Sequence, residues 1–322
     1  MHQIILDTDL SMGAPNADVD DGFALALALA DPDIEVLAVT TVNGNTDVFN
    51  ATRLSRRMLE QLGRSDIPVH RGADRPLIRP SIHPEAIAEH ERRRDADPGS
   101  EVFDAHSHAA LAIIDLVRAH PHEITICAIG PLTNVALALR LDPDIAPLIE
   151  RIVVMGGVFL GQTGETSLPG EFNIWNDPEA ANDVLSHGIP VRFVGLDVTL
   201  QVRMTLDEAS AMEHSPSAFA QYAGKATREW IEFLGSHKPD SPIDQQSCAM
   251  HDPLAVAAIS HPELLQWRAA NVRFAVESEY VRGIAVTDLL TNDNHPAPNC
   301  EFATGVDAQG FLDLLTQAVR RF

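Results

Sequence analysis

Short apolar runs alternate with segments of helical spacing through the first two thirds of the chain, and this rhythm limits the fold more than any other feature. Residues 3–7, 35–42, 68–70, 124–129, 151–155 and 190–194 read as strands. Between them, residues 23–30, 46–62, 107–119, 131–141 and 177–187 read as helices, with stops at Asp31-Pro32, Gly63 and Gly188. Strands this continuously apolar, separated by helices, belong to parallel sheets buried on both faces. The expected class is α/β: a doubly wound, mostly parallel sheet flanked by helices, Rossmann-like in layout. A length of 322 residues fits one such unit, so a single domain over 1–322 is expected. Two segments break the rhythm. Residues 75–106, rich in Pro, His and charge, read as a lid-like excursion. Residues 205–250 read as a helical insertion carrying Phe219, Tyr222, Trp230 and Phe233.

Charge excludes one class of partner. With 46 acidic against 23 basic residues, the formal charge is −23, and that field repels polyphosphates. The basic cluster Arg92-Arg93-Arg94 is flanked by Glu89, Glu91, Asp95 and Asp97, so it reads as a solvated helix face. No nucleic-acid partner is expected. The longest unbroken apolar run, residues 23–30, has eight residues, too few to span a bilayer, so no membrane partner is expected either. The chain enters its first strand without a basic leader, and its three cysteines form no CxxC pair. A cytoplasmic protein is the expectation.

In a doubly wound sheet, ligands bind beyond the carboxyl ends of the strands. Asp7-Thr8-Asp9 closes the first strand, and Asp18, Asp20 and Asp21 open the next helix. Asp20 alone would pass as a helix-terminus acid. Asp9 and Asp21 together need more, because gathered carboxylates repel unless a cation or a shared proton compensates. Hard oxygen ligands without His/Cys pairs at zinc spacing select Ca²⁺ or Mg²⁺, and Ca²⁺ accepts more ligands, sugar hydroxyls included. Further strand ends carry Asn43-Gly44-Asn45, Gly130-Pro131-Leu132-Thr133-Asn134 and Met155-Gly156-Gly157, followed by Glu171-Phe172-Asn173 and His251-Asp252. Each is an ordinary turn or helix start taken singly. Jointly they place Asp, Asn and His around one crevice.

This set, with Arg282-Gly283, Asp288, Asn299 and Asp307, resembles the inosine–uridine-type nucleoside hydrolases over nearly the whole chain. The resemblance implies Ca²⁺-dependent hydrolysis of the N-glycosidic bond of ribonucleosides, giving ribose and free base. It implies Asp9, Asp21, Asp252 and the backbone carbonyl of Ile129 as calcium ligands, with Asp9 also accepting the proton of the attacking water. Asp20 and Asn45 would hold the 2′ side of the ribose, Asn173 the diol and Glu171 the 5′-hydroxyl, while His251 would serve the leaving base. Glu165 joins the substrate-binding set, standing where the family tends to carry Gly-Asn six residues before Glu171. A neutral nucleoside is the implied partner, in a homodimer or homotetramer. The segment 10–19, where the family usually has about three residues, reads as a bulged loop between Asp9 and Asp20.

Other residues invite lesser roles. Tyr222, Trp230 and Phe233 could stack on a base, although at helical spacing they suit a core. His83 could swing over the base, Cys248 reads as a buried thiol, and His106 with His108 has no metal-site company. Two other classes fit the opening motif. One is a haloacid dehalogenase-type Mg²⁺ phosphatase, with Asp7 as nucleophile, which the scarcity of lysine (Lys225 and Lys238) disfavours. The other is a non-catalytic ribose or nucleoside binder.

Overall fold

Strand β1 (His2–Thr8) runs through the middle of the sheet, with Ile4 and Leu6 entering one hydrophobic core and Ile5 the other. This computed structural model describes residues 1–96, 108–161, 168–290 and 296–322. Strands β2 (Ile34–Thr41) and β3 (Val69–Arg71) add in parallel on one side of β1. Strands β4 (Ile124–Ala128), β5 (Arg151–Met155) and β6 (Val191–Val194) add in parallel on the other. A small antiparallel ribbon, β7 (Arg203–Thr205) with β8 (Ser247–Ala249), stands apart from this sheet. Later in the chain come β9 (Leu265–Ala270), the pair β10 (Val272–Phe274) and β11 (Ala285–Thr287), and β12 (Cys300–Val306). The eight-stranded order is β3-β2-β1-β4-β5-β6-β12-β9, with β9 antiparallel at the edge. The expected doubly wound, mostly parallel sheet is what forms.

The first helix shows why the layers pack. Helix α1 (Asp20–Ala30) buries every residue except Leu29, as an all-round apolar helix must. It begins three residues earlier than its apolar run, which brings Asp20 and Asp21 into its first turn. Helix α2 (Val48–Gln61) is capped by Asp47, whose carboxylate accepts from the amides of Phe49 and Asn50. Helices α3 (Pro84–Ala96), α4 (Ala109–Ala119) and α5 (Thr133–Leu141) follow, then α6 (Phe172–Asn176), α7 (Pro178–Ser186) and α8 (Leu196–Thr199). Helices α9 (Leu206–Glu213) and α10 (Ala218–His237) precede α11 (His251–Ser260) and the terminal α12 (Ala308–Val319). Residues of α1, α2, α10, α11 and α12 share the core of Ile4 and Leu6, while those of α4, α5 and α7 share the core of Ile5.

The helical insertion is α9 and α10, bracketed by β7 and β8. Trp230 stacks on Phe233 at 5.5 Å along α10, and Tyr222 packs against the core, so this aromatic set is structural. Of the excursion 75–106, the described part is pinned to the body at several points, among them His90, whose ring stacks on Phe49 at 4.4 Å. Leu77 donates its amide to Asp177, Arg79 pairs with Glu279, and His83 Nε2 lies 2.6 Å from the carbonyl oxygen of Gly44. The rest of the excursion, with His106, lies outside the described residues. Among the described residues no helix is long and apolar enough to cross a membrane.

The loop 10–19 is a folded plug. Leu10, Met12 and Val19 are buried, and the turn at Gly13 and Asn16 uses positive φ. Ser11 Oγ donates to the Asp18 carbonyl oxygen at 3.1 Å. Met12 lies so close to Gly22 of α1 that a Cβ there would sit 2.1 Å from its sulfur. A glycine one turn into α1 thus seats the loop and keeps Asp9 and Asp21 on either side of it.

Candidate active site

The connections leaving β1 diverge, toward β2 on one side and β4 on the other after the chain returns. A crevice opens at such a point beyond the strand ends. There, a cavity of about 380 Å³ is lined by Asp20, Asn45, Ile129, Glu171, Asn173, His251 and Asp252, all named from sequence, together with Asp18 and Lys238. Asp9 and Asp21, both fully buried, sit beneath it. Glu165 lies outside the described residues.

The floor is acidic and tight. One carboxylate oxygen from each of Asp20, Asp21 and Asp252 lies within 4.8 Å of the others. Two helix N-termini meet there: Asp20 and Asp21 belong to the first turn of α1, Asp252 to that of α11. Neither helix has a side-chain cap; instead Asp20 Oδ2 accepts the Asp252 amide at 3.2 Å. Asn45 ties in two carboxylates, its amide reaching Asp9 Oδ2 at 2.6 Å and its Nδ2 reaching Asp21 Oδ2 at 3.3 Å. Thr8 Oγ1 holds the other oxygen of Asp21 at 2.5 Å. Only glycine fits at 44, since a Cβ there would stand 1.8 Å from Asp9 Oδ2.

Among the described residues no Lys or Arg is paired with these carboxylates. Burial, then the neighbouring carboxylates, push Asp9, Asp20 and Asp252 well above the usual carboxylate range. Burial takes Asp21 to about 6 against the lowering effect of Thr8. Asp9 Oδ1 is buried without a hydrogen-bond partner. Three carboxylate oxygens within 4.8 Å and an orphaned fourth group fit a hard divalent cation, whose oxygen ligands lie roughly 2.3–2.6 Å from a calcium centre and so up to twice that apart.

The adjoining wall is rigid. Glu171 caps α6, accepting from the amides of Asn173 at 2.7 Å and of Ile174 and Gly157 at 3.0 Å each. Asn173 Nδ2 donates to the carbonyl oxygens of Ile129 at 2.9 Å and Met155 at 3.2 Å, which leaves Oδ1 as its acceptor for a ligand. His251 Nδ1 lies 2.7 Å from Thr199 Oγ1 at the end of α8. Burial, with the charges of Arg203 and Lys238, holds the imidazole down at about 4, so it is neutral near pH 7.

Some motif residues serve the scaffold instead. Asp7 Oδ1 accepts from Thr40 Oγ1 at 2.6 Å and Asn134 Nδ2 at 2.8 Å, and Asn134 also binds Thr41 and Ala73. Asp177 gathers Leu77, Thr133 and Ala180. Asn299 pairs with Val272, and Asp307 caps α12. Asp7 is fully buried and bound into this scaffold, which disfavours it as a phosphatase nucleophile. Asp18 is one of the acids that the sequence places before α1; Lys238 and Thr199 are site neighbours that sequence reasoning does not reach, since Lys238 has only its rarity to single it out and Thr199, 52 residues from His251, has no sequence signal.

A sequence-family profile described as inosine-uridine preferring nucleoside hydrolase matches residues 4–313. An uncharacterized protein of Schizosaccharomyces pombe is 35% identical over 99% of both chains. The pyrimidine-specific ribonucleoside hydrolase RihA of Shewanella baltica is 34% identical, over 94% of this chain and 93% of that one. Among solved structures, the plant nucleoside hydrolase PpNRh1 superimposes with a TM-score of 0.84 at 29% identity, covering 100% of this chain and 99% of that one.

Proposed function

The chain belongs to the inosine-uridine preferring nucleoside hydrolase family, and from that membership we propose that it is a Ca²⁺-dependent ribonucleoside hydrolase whose metal ligands are Asp9, Asp21, Asp252 and the Ile129 carbonyl. The observation that carries this reading is the acidic floor, where buried carboxylates crowd with no paired Lys or Arg among the described residues. Bound there, the cation would orient the ribose hydroxyls and acidify a water. Its charge would also return these carboxyls to the ionised form that burial opposes.

The chain's own residues supply the rest. Asp9 is assigned the proton of the attacking water, a role that its buried, unpartnered Oδ1 supports. Water oxygen bonds to the anomeric carbon as the C–N bond breaks, its electron pair leaving with the base. Ribose and free base result, the proton lost by water being balanced by one gained at the base nitrogen. Positive charge developing on the sugar faces the carboxylates of the floor. Asp20 and Asn45 are assigned the 2′ side of the ribose, Asn173 Oδ1 the diol and Glu171 the 5′ side. Thr199 donating to His251 Nδ1 would fix the remaining ring proton on Nε2, facing the base. Exposed Tyr280, Val286 and Leu290 near the β10–β11 pair support a homo-oligomer, which light scattering would test.

Base release from inosine, uridine, cytidine and adenosine, before and after chelation and with calcium restored, tests the reading. Release that stops on chelation and returns with calcium is expected. Nucleoside binding without turnover in calcium would mark a non-catalytic binder instead.

A further inference from the structure

Glu171 and Asn173 stand on the shortest support in the cavity wall. Helix α6 spans five residues, little more than one turn, and so short a helix does not hold its shape alone. Inside it the Trp175 amide reaches the Glu171 carbonyl oxygen at 2.8 Å, and the Glu171 carboxylate caps its start. Its far end would leave carbonyl oxygens open. Arg282 closes that end: Nε donates to the Trp175 carbonyl oxygen at 3.0 Å and Nη2 to that of Asn176 at 3.2 Å. The remaining donors of the fork meet Glu179 in the first turn of α7, which aims the guanidinium as well as neutralising it. Arg282 itself is buried and does not line the cavity. Gly283 brings backbone against backbone. Its φ is +78°, and a Cβ there would stand 2.6 Å from Trp175 Cα. A Cβ on Gly170, which lines the cavity, would stand 2.9 Å from the Gly283 carbonyl oxygen. The pair is fixed in turn, since the Gly283 amide donates to the Ala275 carbonyl oxygen at 2.8 Å and the Ala275 amide to that of Ile284 at 3.0 Å, continuing the β10–β11 ribbon. Helix α6 is thus gripped from the strand ends through Gly157, Ile129 and Met155, and from the ribbon through Arg282 and Gly283.

We propose that Arg282, with Gly283, is a positioning residue for ribose recognition: by closing α6 it sets where Glu171 and Asn173 meet the 5′ and 3′ hydroxyls, without touching the sugar. This rests on the ribohydrolase reading of the same cavity. A fork that bonds two successive carbonyls fixes both the position and the roll of the helix end, which a point charge would not. Asp20 and Asn45, assigned to the 2′ side, come from α1 and from the turn after β2, and neither bonds to α6 or to Arg282. Disturbing Arg282 therefore divides the sugar: recognition at 5′ and 3′ loosens while recognition at 2′ persists. A residue that only stabilised the fold would weaken all three alike.

The test compares kcat/KM and, by calorimetry in calcium, Kd for uridine and its 2′-, 3′- and 5′-deoxy forms. It uses the native chain and the variants Arg282→Met, Gly283→Ala and Glu179→Gln. Ratios between substrates within one variant cancel any loss of folded protein. The native chain should prefer uridine to all three analogues, since a site that bonds a hydroxyl rejects the compound lacking it. In Arg282→Met the 5′ and 3′ ratios should shrink by roughly tenfold or more, while the 2′ ratio, which Asp20 and Asn45 also hold, stays within about threefold. Gly283→Ala should give the same pattern, because it presses on Trp175 and leaves every charge in place; it decides alone where Arg282→Met yields no folded protein. Glu179→Gln removes the ion pair but keeps the fork on both carbonyls, so its ratios should stay within about threefold of native. Three ratios that fall together, ratios that hold in Arg282→Met and Gly283→Ala, or ratios that fall as far in Glu179→Gln would overturn the proposal. If no base is released at all, the hydrolase reading falls and the Kd ratios decide. The same pattern in Kd upholds the positioning role, whereas its absence, or binding of none of the four, overturns it.

Discussion

Two buried charged clusters in this molecule have opposite designs. Arg282, 1% exposed, reaches Glu179 through both terminal nitrogens at 2.8 and 2.7 Å, and donates to the carbonyl oxygens of Trp175 at 3.0 Å and Asn176 at 3.2 Å. Its charge is fully met by the fold, and it fastens the segment before β11 to α6 and α7. The floor under the cavity gathers Asp9, Asp20, Asp21 and Asp252, and among the described residues no Lys or Arg is paired with them. Internal compensation marks a structural cluster; its absence marks a place that a ligand completes. Removing a charge from each should therefore change stability in opposite directions.

The largest effect follows from that contrast. Arg282→Met leaves Glu179 and two carbonyls without their partner and should destabilise the protein by about 3–5 kcal/mol. Asp252→Asn, in calcium-free protein, relieves repulsion and should raise stability by on the order of 1 kcal/mol while turnover falls at least ~100-fold. Urea unfolding with chelator present, alongside a base-release assay, measures both. A destabilised Asp252→Asn would mean that the floor is compensated by something other than a bound cation.

A smaller effect concerns the ion itself. At about 100 times its Kd, a cation that binds only the folded chain adds roughly 2.7 kcal/mol of stability. Calcium should thus raise the melting temperature by several degrees. In Asp252→Asn most of that rise should vanish.

The sequence made the floor readable because side chains just past the ends of parallel strands converge on one crevice, whatever their separation along the chain. Asp9, Asn45 and Ile129 are placed by that rule, after β1, β2 and β4, whereas Asn173 reaches the crevice from α6. The same motifs also hold Asp7 and Asn134, which looked equally chemical but bind each other. Asp7 is still inside the β1 ladder, opposite Thr40 and Ala128, whereas Asp9 lies past its last rung. A two-residue difference in depth separates scaffold from site, and composition does not carry depth. Strands β9 and β12 went unread for a related reason. The edge strand β9 is half exposed, with Arg268 and Gln266 outward, and so lacks the apolar continuity that announced the others. Thr199 illustrates contacts that only the assembled fold creates.

The finest comparison runs from β1 to just past its end, between Asp7, held by two hydrogen bonds, and Asp9 of the floor two residues on. Burial raises the Asp7 carboxyl from 3.8 to about 7, against the lowering pull of Thr40 and Asn134, and its Oδ2 has no partner. Between those values the folded chain holds a proton that the unfolded chain has released. The folded state then binds more protons, so this group's contribution to stability declines as pH rises through the window, by at most about 1.4 kcal/mol per pH unit. Asp7→Asn keeps an acceptor oxygen for Thr40 and Asn134 and cannot ionise. In calcium-free protein unfolded by urea at pH 5, 6 and 7, the native chain should lose stability relative to Asp7→Asn with each step. Parallel curves would show that two hydrogen bonds suffice to keep Asp7 charged in the core, and hydrogen bonding would then join ion pairing as a way for this fold to compensate a buried carboxylate.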